Sequence, residues 1–247
     1  MTVAWFEIDA MPYRSLTIQE VARMLGADAR RVERMAQRGE IPCQKVGGQL
    51  RFNRAEITEW LQRSVGAMSD EHLAEVDAGM TEQRETQWDD MIVAPLLRPE
   101  AVTTNLGSRT KDSTLRELVA LAEKTGLVLN TQEFVEAILH REELCSTAME
   151  GGIAIPHPRR PLPYVIAEPI LVVARTTQGI VFGAPDGQLT NLFFLTASRD
   201  DRHHLHTLAR LCRMLYDGDF IGHIEEAKTA QEMVELMKER ELEVLSQ

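Results

Sequence analysis

The sequence predicts two domains of different class: a small α+β domain over residues 1–64, and a layered α/β domain over residues 91–247 with helices packed on a mixed sheet. Three observations support this prediction. Two short helical patterns and a glycine-centred hairpin occupy the N-terminal segment. Helices alternate with short β-rich runs from residue 91 onward. The 247 residues are 44% hydrophobic and 26% charged, an ordinary globular composition that excludes a disordered or fibrous protein.

The first two helices are marked by the residues at their ends. Thr17 and Glu20 have the spacing of a capping box, which begins a helix, and Gly26 ends that helix. A second helix is predicted over residues 28–38, with an aspartate as its N-cap and Gly39 as its C-terminal stop. Each helix has an apolar stripe at helical spacing. The two helices are therefore expected to pack as a helix-turn-helix pair.

A hairpin and a third helix complete the N-terminal domain. Residues 43–52 predict a short hairpin with two glycines at its centre. Residues 54–63 predict a helix that buries Ile57, Trp60 and Leu61. Two helices, a hairpin and a further helix are the plan of a winged helix-turn-helix domain.

The stretch over residues 65–90 is acidic, with eight Asp or Glu residues against one Arg, and it is predicted to be a linker. Leu73, Val76 and Met80 lie at helical spacing, so a short helix within the linker is the alternative. Such a helix is expected to be solvated. A stripe that dimerises the protein is the other interpretation.

The C-terminal domain is predicted from alternating patterns of helix and strand. Its expected helices cover residues 114–124, 130–141, 205–215 and 231–240. Its expected strands cover residues 153–155, 165–174, 179–182 and 192–197. This alternation is typical of a layered α/β domain.

Charge and cysteine content limit the classes of function. The net charge is −11, yet residues 28–54 carry seven basic and three acidic side chains, which favours one local anionic partner. The three cysteines are odd in number and form no CxxC pair, so a disulfide framework is not expected. No apolar run approaches the roughly 20 residues of a membrane-spanning helix, and no signal pattern begins the chain. A cytoplasmic protein without membrane insertion is expected.

The basic segment contains the residue types that bind DNA. Arginine and glutamine on a helix can hydrogen-bond base edges in the major groove, and basic residues of a wing can contact the backbone. The candidate DNA-binding residues are Arg30, Arg31, Arg34 and Gln37 on the second helix, with Lys45 and Arg51 on the hairpin. The alternative is a solvated charged face. Because one such module offers a small interface, a homodimer is the expected binding form.

This segment resembles the excisionase/MerR-like helix-turn-helix family. The matching residues are LTIQEVA from residue 16, GEIP from residue 39, KVG from residue 45 and RFNR from residue 51. The resemblance implies DNA binding by the second helix and the hairpin.

The most informative stretch in the C-terminal domain ends at His157. A short buried strand is followed by Pro156, which fixes the backbone and presents the histidine at the strand terminus. A free imidazole has a pKa near 6.5, so much of it is neutral and nucleophilic at cellular pH. Arg141 and the hydroxyls of Ser146 and Thr147 are candidates to receive incoming negative charge.

A second histidine cluster begins the helix predicted near residue 205. A histidine in the first turn of a helix can hydrogen-bond an anion that the helix N-terminus also favours. Three histidines, His203, His204 and His206, raise zinc binding as an alternative. A zinc site needs three or four ligands with second-shell support, and no partner cluster is evident, so no metal or cofactor is expected. Cys145 has no identifiable base and is expected to be a small packed side chain.

Residues 91–242 resemble the enzyme IIA domain of the fructose/mannitol type in the phosphoenolpyruvate-dependent phosphotransferase system, in its nitrogen-regulatory form. The matching motifs are RE and ST around residues 141–147, GIAIPH at 152–157, FGAPDG at 182–187 and HLHTLARL at 204–211. The resemblance implies that His157 accepts a phosphoryl group and that His204 is the second histidine of the site. It implies that Arg141 contacts the phosphoryl group, and Thr147 matches the same motif. Pro158 departs from the family, which usually has a small residue there.

Three functions are compatible with these resemblances. The first is a bacterial transcriptional regulator in which the histidine phosphocarrier protein phosphorylates His157 and thereby changes DNA or partner binding. Such a protein is a phosphoryl carrier, and not a multiple-turnover enzyme. The second is an enzyme IIA component that passes phosphate to a IIB subunit of a sugar permease. The third is an excisionase-like factor whose C-terminal domain is a non-catalytic platform.

Overall fold

The computed structural model describes residues 15–81 and 90–246, which form two compact units separated between residues 81 and 82. The first unit comprises the described residues up to 81, and the second unit those from 90 onward. Parts of the predicted N-terminal domain (1–14) and of the predicted linker (82–89) lie outside the described residues.

The first unit contains three strands and four α-helices among its described residues. In chain order they are β1 (Ser15–Leu16), α1 (Ile18–Met24), α2 (Ala29–Arg38), β2 (Gln44–Val46), β3 (Gln49–Asn53), α3 (Arg54–Ser64) and α4 (Asp70–Met80). The strands are antiparallel in the order β1-β3-β2, with Leu16 opposite Phe52 and Lys45 opposite Leu50. The predicted helix-turn-helix, hairpin and third helix are confirmed.

Local caps explain why the helices begin and end where they do. The Thr17 hydroxyl accepts the Glu20 N–H, and the Glu20 carboxylate accepts the Thr17 N–H in return, so the predicted capping box is present. Asp28 caps α2 by accepting the Arg31 N–H. Gly39 ends α2 with φ of 72°, a left-handed conformation that strongly favours glycine.

Helix α4 corrects the prediction of a solvated linker. Its apolar stripe of Leu73, Val76 and Met80 is buried, and the helix contacts α1 within the first unit. Helix α4 meets the turn after α1 at glycines, since a Cβ on Gly26 would lie 1.8 Å from the carbonyl oxygen of Glu75. The stripe therefore neither faces solvent nor remains open for dimerisation. Its position depends on packing against α1, which helical spacing alone does not reveal.

The second unit is built on a sheet of four strands, and the prediction of a mixed sheet is confirmed. Its strands are β4 (Leu97–Leu106), β5 (Ile153–Ala154), β6 (Ile170–Ile180) and β7 (Thr190–Ala197). The order in the sheet is β4-β6-β7-β5, where β6 and β7 are antiparallel and both edge strands pair in parallel. Each central strand contains a run of fully buried side chains, at residues 171–174 of β6 and 192–195 of β7.

Five α-helices are described in the second unit. They are α5 (Lys111–Glu123), α6 (Thr131–Leu144), α7 (Asp201–Leu215), α8 (Gly218–Glu226) and α9 (Ala230–Leu245). Four of them match the predicted helices, while α8 was not predicted. Among the described residues, no helix combines the length and apolarity that crossing a membrane requires.

Two strand predictions were inaccurate. The expected strand over 165–174 begins only at Ile170, because Ile166 forms an isolated bridge to Val128. Strand β6 then continues to Ile180 and so includes part of the run expected over 179–182. Strand β4 was missed because it lies at an edge of the sheet and contains polar residues that break the apolar pattern.

A buried carboxylate ties the beginning of the second unit to its last helix. Glu241 on α9 accepts the backbone N–H groups of Ile92, Val93 and Ala94 at 2.7, 2.9 and 2.6 Å. Arg210 on α7 pairs with the same carboxylate at 3.1 Å, and both side chains are fully buried. Three amides and one guanidinium compensate for the desolvation of this carboxylate.

Candidate functional site

His157 lies two residues beyond Ile155, which follows β5 at the edge of the sheet. The Ile155 N–H donates to the Thr147 carbonyl at 3.1 Å and holds the strand end in place. His157 is 4% exposed, and its Nδ1 lies 2.7 Å from the Ile155 carbonyl oxygen. Because a carbonyl oxygen can only accept, Nδ1 carries the proton and the neutral ring keeps its lone pair on Nε2.

His204 lies in the first turn of α7 and faces His157. The ring centroids are 5.5 Å apart with the planes tilted by 55°, and His204 is fully buried. Nε2 of His157 and both ring nitrogens of His204 have no hydrogen-bond partner within the described part of the chain. Buried polar atoms without partners are rare in folded proteins, so these three nitrogens indicate a site for a hydrogen-bonding ligand.

Burial keeps both imidazoles neutral. Desolvation lowers the pKa of His157 well below its usual value of 6.5, with smaller contributions in the same direction from His204 and Arg141. The pKa of His204 falls to about 4, again through desolvation first and the positive charge of Arg141 second. Two neutral imidazoles beside a permanent cation form a site that favours an added anion.

Arg141 occupies the last turn of α6 and is buried. Its Nη1 donates to the Cys145 carbonyl at 2.8 Å, which anchors the guanidinium to the loop after α6. Its charge reaches both histidines, as their lowered pKa values show. The structure therefore brings together the predicted residues Arg141, His157 and His204.

The hydroxyls of Thr147 and Ser146, the two predicted donors, have other acceptors in this structure. The Thr147 hydroxyl donates to the Glu142 carboxylate at 2.5 Å, and the Thr147 N–H donates to the same group at 3.1 Å. The Ser146 hydroxyl donates to the Phe182 carbonyl at 2.9 Å. Both hydroxyls therefore hold the loop after α6 in place, and the donation of their protons to an incoming anion stays a prediction.

Sequence reasoning missed an ion pair beside this loop, between a partly exposed lysine and a buried glutamate. Lys111 on α5 lies 2.7 Å from the Glu142 carboxylate, whose side chain is 2% exposed. The same ammonium donates to the Phe182 carbonyl at 2.8 Å and lies 4.7 Å from the centre of that ring. Glu142 could have been identified from the sequence, because it is the second residue of the RE motif. No local sequence pattern predicts a role for Lys111.

These contacts form a continuous path to the histidine. Lys111 fixes Glu142, and Glu142 fixes Thr147 through two hydrogen bonds. The Thr147 carbonyl then accepts from Ile155, whose own carbonyl holds Nδ1 of His157. This series of contacts explains why Nδ1 of His157 keeps the proton, while Nε2 is left for a ligand.

The other residues considered around the site differ in exposure and partners. His203 is exposed and its ring hydrogen-bonds Asp200 at 2.6 Å, while His206 is buried on the same helix. The described residues contain no group of three or more His, Cys, Asp or Glu side chains arranged to hold a metal ion. Cys145 is exposed. Beyond His157, Pro158 is buried and the two arginines that follow it are exposed.

The first unit presents most of the predicted DNA-binding residues on one side. Arg30, Arg34 and Gln37 are exposed on the outer face of α2, opposite its buried Val32 and Ala36. A cleft of about 760 Å³ runs between α2 and the hairpin, and its lining includes Gln37, Lys45 and Arg51. Arg31 is the exception, because its guanidinium is paired with Glu75 of α4 at 2.5 Å.

The fold and the site define a two-domain protein of the phosphotransferase system, in which a helix-turn-helix unit precedes an α/β domain of the enzyme IIA type. The chain belongs to the family described as phosphoenolpyruvate-dependent sugar phosphotransferase system, EIIA 2, which matches residues 95–240 and so more than half of the chain. Residues 15–64 match the family described as helix-turn-helix domain.

Similar proteins include nitrogen regulatory and sugar-transport proteins. A nitrogen regulatory protein of Bradyrhizobium diazoefficiens is 35% identical over 57% of this chain and 91% of that protein. One from Escherichia coli is 30% identical over 60% of this chain and 91% of its own length. A fructose-specific EIIABC component of Bacillus subtilis is 28% identical over 61% of this chain, which spans 24% of that longer relative.

Solved structures show the same fold for the second unit. The nitrogen regulatory protein IIA-Ntr from Neisseria meningitidis superposes with a TM-score of 0.54 at 22% identity, covering 60% of this chain and 99% of that one. A complex of enzyme IIA mannitol and phosphorylated enzyme IIB mannitol from Escherichia coli gives 0.52 at 23% identity, covering 58% of this chain and 97% of that one.

Proposed function

We propose that this protein is a regulator of the phosphotransferase system whose His157 accepts a phosphoryl group from the histidine phosphocarrier protein, and that this phosphorylation changes DNA or partner binding. One observation carries the proposal. His157 is neutral, its Nδ1 proton is held by Ile155, and its Nε2 has no hydrogen-bond partner among the described residues. Its ring centroid lies 5.5 Å from that of His204, whose ring nitrogens also have none there, and the charge of Arg141 acts on both rings.

The proposed transfer follows from these positions. The Nε2 lone pair of His157 attacks phosphorus, and the phosphorus–nitrogen bond of the donor breaks with its electron pair returning to the donor imidazole. The Nδ1 proton stays in its hydrogen bond to Ile155. A ring nitrogen of His204 donates to a phosphoryl oxygen, and the charge of Arg141 offsets the added negative charge. Because His157 is only 4% exposed, the donor has to displace neighbouring side chains as it docks.

Intact mass spectrometry tests the acceptor. The full chain is incubated with phosphoenolpyruvate, enzyme I and the phosphocarrier protein at neutral to mildly alkaline pH, which preserves phosphohistidine. We expect one added phosphoryl group in the wild type and in His203→Ala, an exposed histidine on the same helix, and none in His157→Ala. Phosphorus NMR should assign the group to Nε2. No addition, or an addition that survives in His157→Ala, would overturn the proposal.

The DNA-binding half of the proposal is supported by the helix-turn-helix match and by the exposed side chains of α2. Arg34→Gln should lower affinity for duplex DNA, because Arg34 lies at the centre of the exposed face and contacts bases or phosphates in a bound complex. The charge-matched control is Arg63→Gln on α3, where the arginine pairs with Glu59. Equal losses in the two variants would count against binding through α2.

A second candidate function is an enzyme IIA component that passes phosphate onward to a IIB partner. It is favoured by the similarity to the fructose-specific EIIABC component. Incubation of the phosphorylated protein with purified IIB domains separates the two functions. Rapid and complete transfer to one of them would support transport. Retention of the phosphoryl group on His157 supports regulation.

The third candidate is an excisionase-like factor with a non-catalytic second unit. A triple alanine variant at Arg141, His157 and His204 separates it from the other two. Under the platform hypothesis this variant behaves as wild type in the cell, whereas the proposed regulator loses its response to the phosphorylation state of the system.

A further inference from the structure

Helix α4 lies outside both family matches, which end at residue 64 and begin again at residue 95. It nevertheless belongs to the first unit. Its apolar stripe is buried, and its backbone approaches the turn between α1 and α2 so closely that a Cβ on Gly79 would lie 2.7 Å from the Cα of Gly26. Glycine at both positions permits this approach, because it has no Cβ. The sequence therefore favours the packing of α4 against the helix-turn-helix.

Helix α4 also forms an ion pair with Arg31, one of the predicted DNA-binding residues. Nη1 of Arg31 lies 2.5 Å from the Glu75 carboxylate, with the two side chains 32% and 38% exposed. Both partners remain accessible enough to exchange for other ions. On α2, Arg31 lies about 100° around the helix from Arg30, at the flank of the exposed face and beside the buried one.

A flank position determines what Arg31 can contact. When a recognition helix lies in the major groove, side chains at the centre of its outer face meet base edges, and those at its flanks meet the phosphates that border the groove. A phosphate contact carries no sequence information and strengthens binding to any DNA. Pairing with Glu75 therefore removes a contact that would raise affinity without raising specificity.

We infer that Glu75 limits the affinity of the first unit for DNA: by engaging Arg31 it withholds one phosphate contact and so weakens binding to DNA of any sequence. The inference rests on the proposed DNA binding by α2. It is independent of phosphoryl transfer at His157.

The test measures how the full chain binds a random-sequence duplex as salt is varied. Glu75→Gln should bind several-fold more tightly than wild type at low salt, with a slope of log affinity against log salt steeper by about 0.9, the value for one additional phosphate contact. The matched control is Glu71→Gln, which removes the same charge from an exposed position of the same helix. It should leave the slope at the wild-type value.

A double-mutant cycle assigns the effect to Arg31. The increase in DNA affinity caused by Glu75→Gln should vanish when the substitution is made in an Arg31→Gln background. Glu75→Gln behaving like Glu71→Gln, or a gain that persists without Arg31, would overturn the inference while leaving DNA binding intact. Absence of DNA binding in every variant, each folded by circular dichroism, would overturn the proposed DNA binding and this inference together.

Discussion

A histidine that accepts a phosphoryl group has to be neutral, and it has to present a defined nitrogen. Burial supplies the first property at His157, because desolvation lowers its pKa well below the usual value. The Ile155 carbonyl supplies the second by holding the proton on Nδ1 at 2.7 Å. Neutrality and orientation at this residue thus come from separate features of the fold.

Neutral buried histidines also make stability depend on pH. Between pH 6.5 and about 4 the unfolded chain binds a proton at residue 204 that the folded chain does not, so stability falls as pH falls through this window. For one fully shifted histidine the slope is about 1.4 kcal/mol per pH unit. His204→Gln should flatten the dependence of the unfolding free energy on pH, measured by urea denaturation at pH 7 and pH 5.

The control for this experiment is His223→Gln, which changes an exposed histidine of α8. It should keep the wild-type pH dependence. If His204→Gln and the wild type lost equal stability between the two pH values, the account of a neutral, buried His204 would be wrong.

Glu142 is expected to govern the rate of phosphorylation without touching the phosphoryl group. Glu142→Gln weakens the ion pair with Lys111 and the hydrogen bonds to Thr147, which fix the path to His157. Small displacements of a reacting group are costly, so we expect phosphorylation of His157 to slow by about tenfold to a hundredfold. The rate is measured by quenched-flow mass spectrometry.

The neighbouring Glu143 is the matched control, since its side chain is 78% exposed. Glu143→Gln should be phosphorylated at the wild-type rate. Equal rates in the two variants, with both chains folded, would show that the pair of Lys111 and Glu142 does not position the site.

At the scale of elements, α4 depends on the absence of side chains at its contact with α1. Alanine normally stabilises a helix by about 1 kcal/mol relative to glycine. Gly79→Ala should nevertheless loosen α4, because its Cβ would lie 2.7 Å from the Cα of Gly26. Hydrogen exchange followed by mass spectrometry should show faster exchange in α4 of Gly79→Ala. The exposed variant Ala78→Ser should keep the wild-type rate, and unchanged protection in both would contradict the proposed close packing.

The beginning of the second unit depends on Glu241. Glu241→Gln leaves the fully buried Arg210 without its carboxylate partner, and removing one member of a buried ion pair costs about 3–5 kcal/mol. The unfolding free energy of this unit should fall by a similar amount in chemical denaturation. Glu239→Gln, at an exposed position of α9, should have little effect. A change below about 1 kcal/mol for Glu241→Gln would contradict this assignment.

Elements whose signals are local were predictable from the sequence. Thr17, Asp28 and Gly39 define helix ends through contacts within four residues, and the structure has those ends in place. Strand β4 was not predictable, because it is an edge strand with polar residues that interrupt the apolar pattern. The packing position of α4 was not predictable either, because it depends on contacts with the neighbouring α1. In the same way the motifs identified Arg141, His157 and His204, while Lys111 enters the site only through tertiary packing.

At the scale of the whole molecule, a domain of the EIIA 2 family follows a helix-turn-helix unit in one chain. The first unit exposes the cationic side chains of Arg30 and Arg34, and the second places Arg141 beside two neutral histidines, so the proposed function assigns DNA binding to the first unit and phosphoryl acceptance to the second. Phosphorylation adds about −1.5 to −2 charges at a single buried position, a large local change. The regulatory proposal is that this change is transmitted to DNA or partner binding.

The most direct test compares the DNA affinity of the full chain before and after phosphorylation, at one fixed salt concentration. The account predicts that the two affinities differ several-fold, and that the difference disappears in His157→Ala after the same treatment. Equal affinities for a fully phosphorylated and an unphosphorylated protein would contradict coupling to DNA and leave the two units as independent modules.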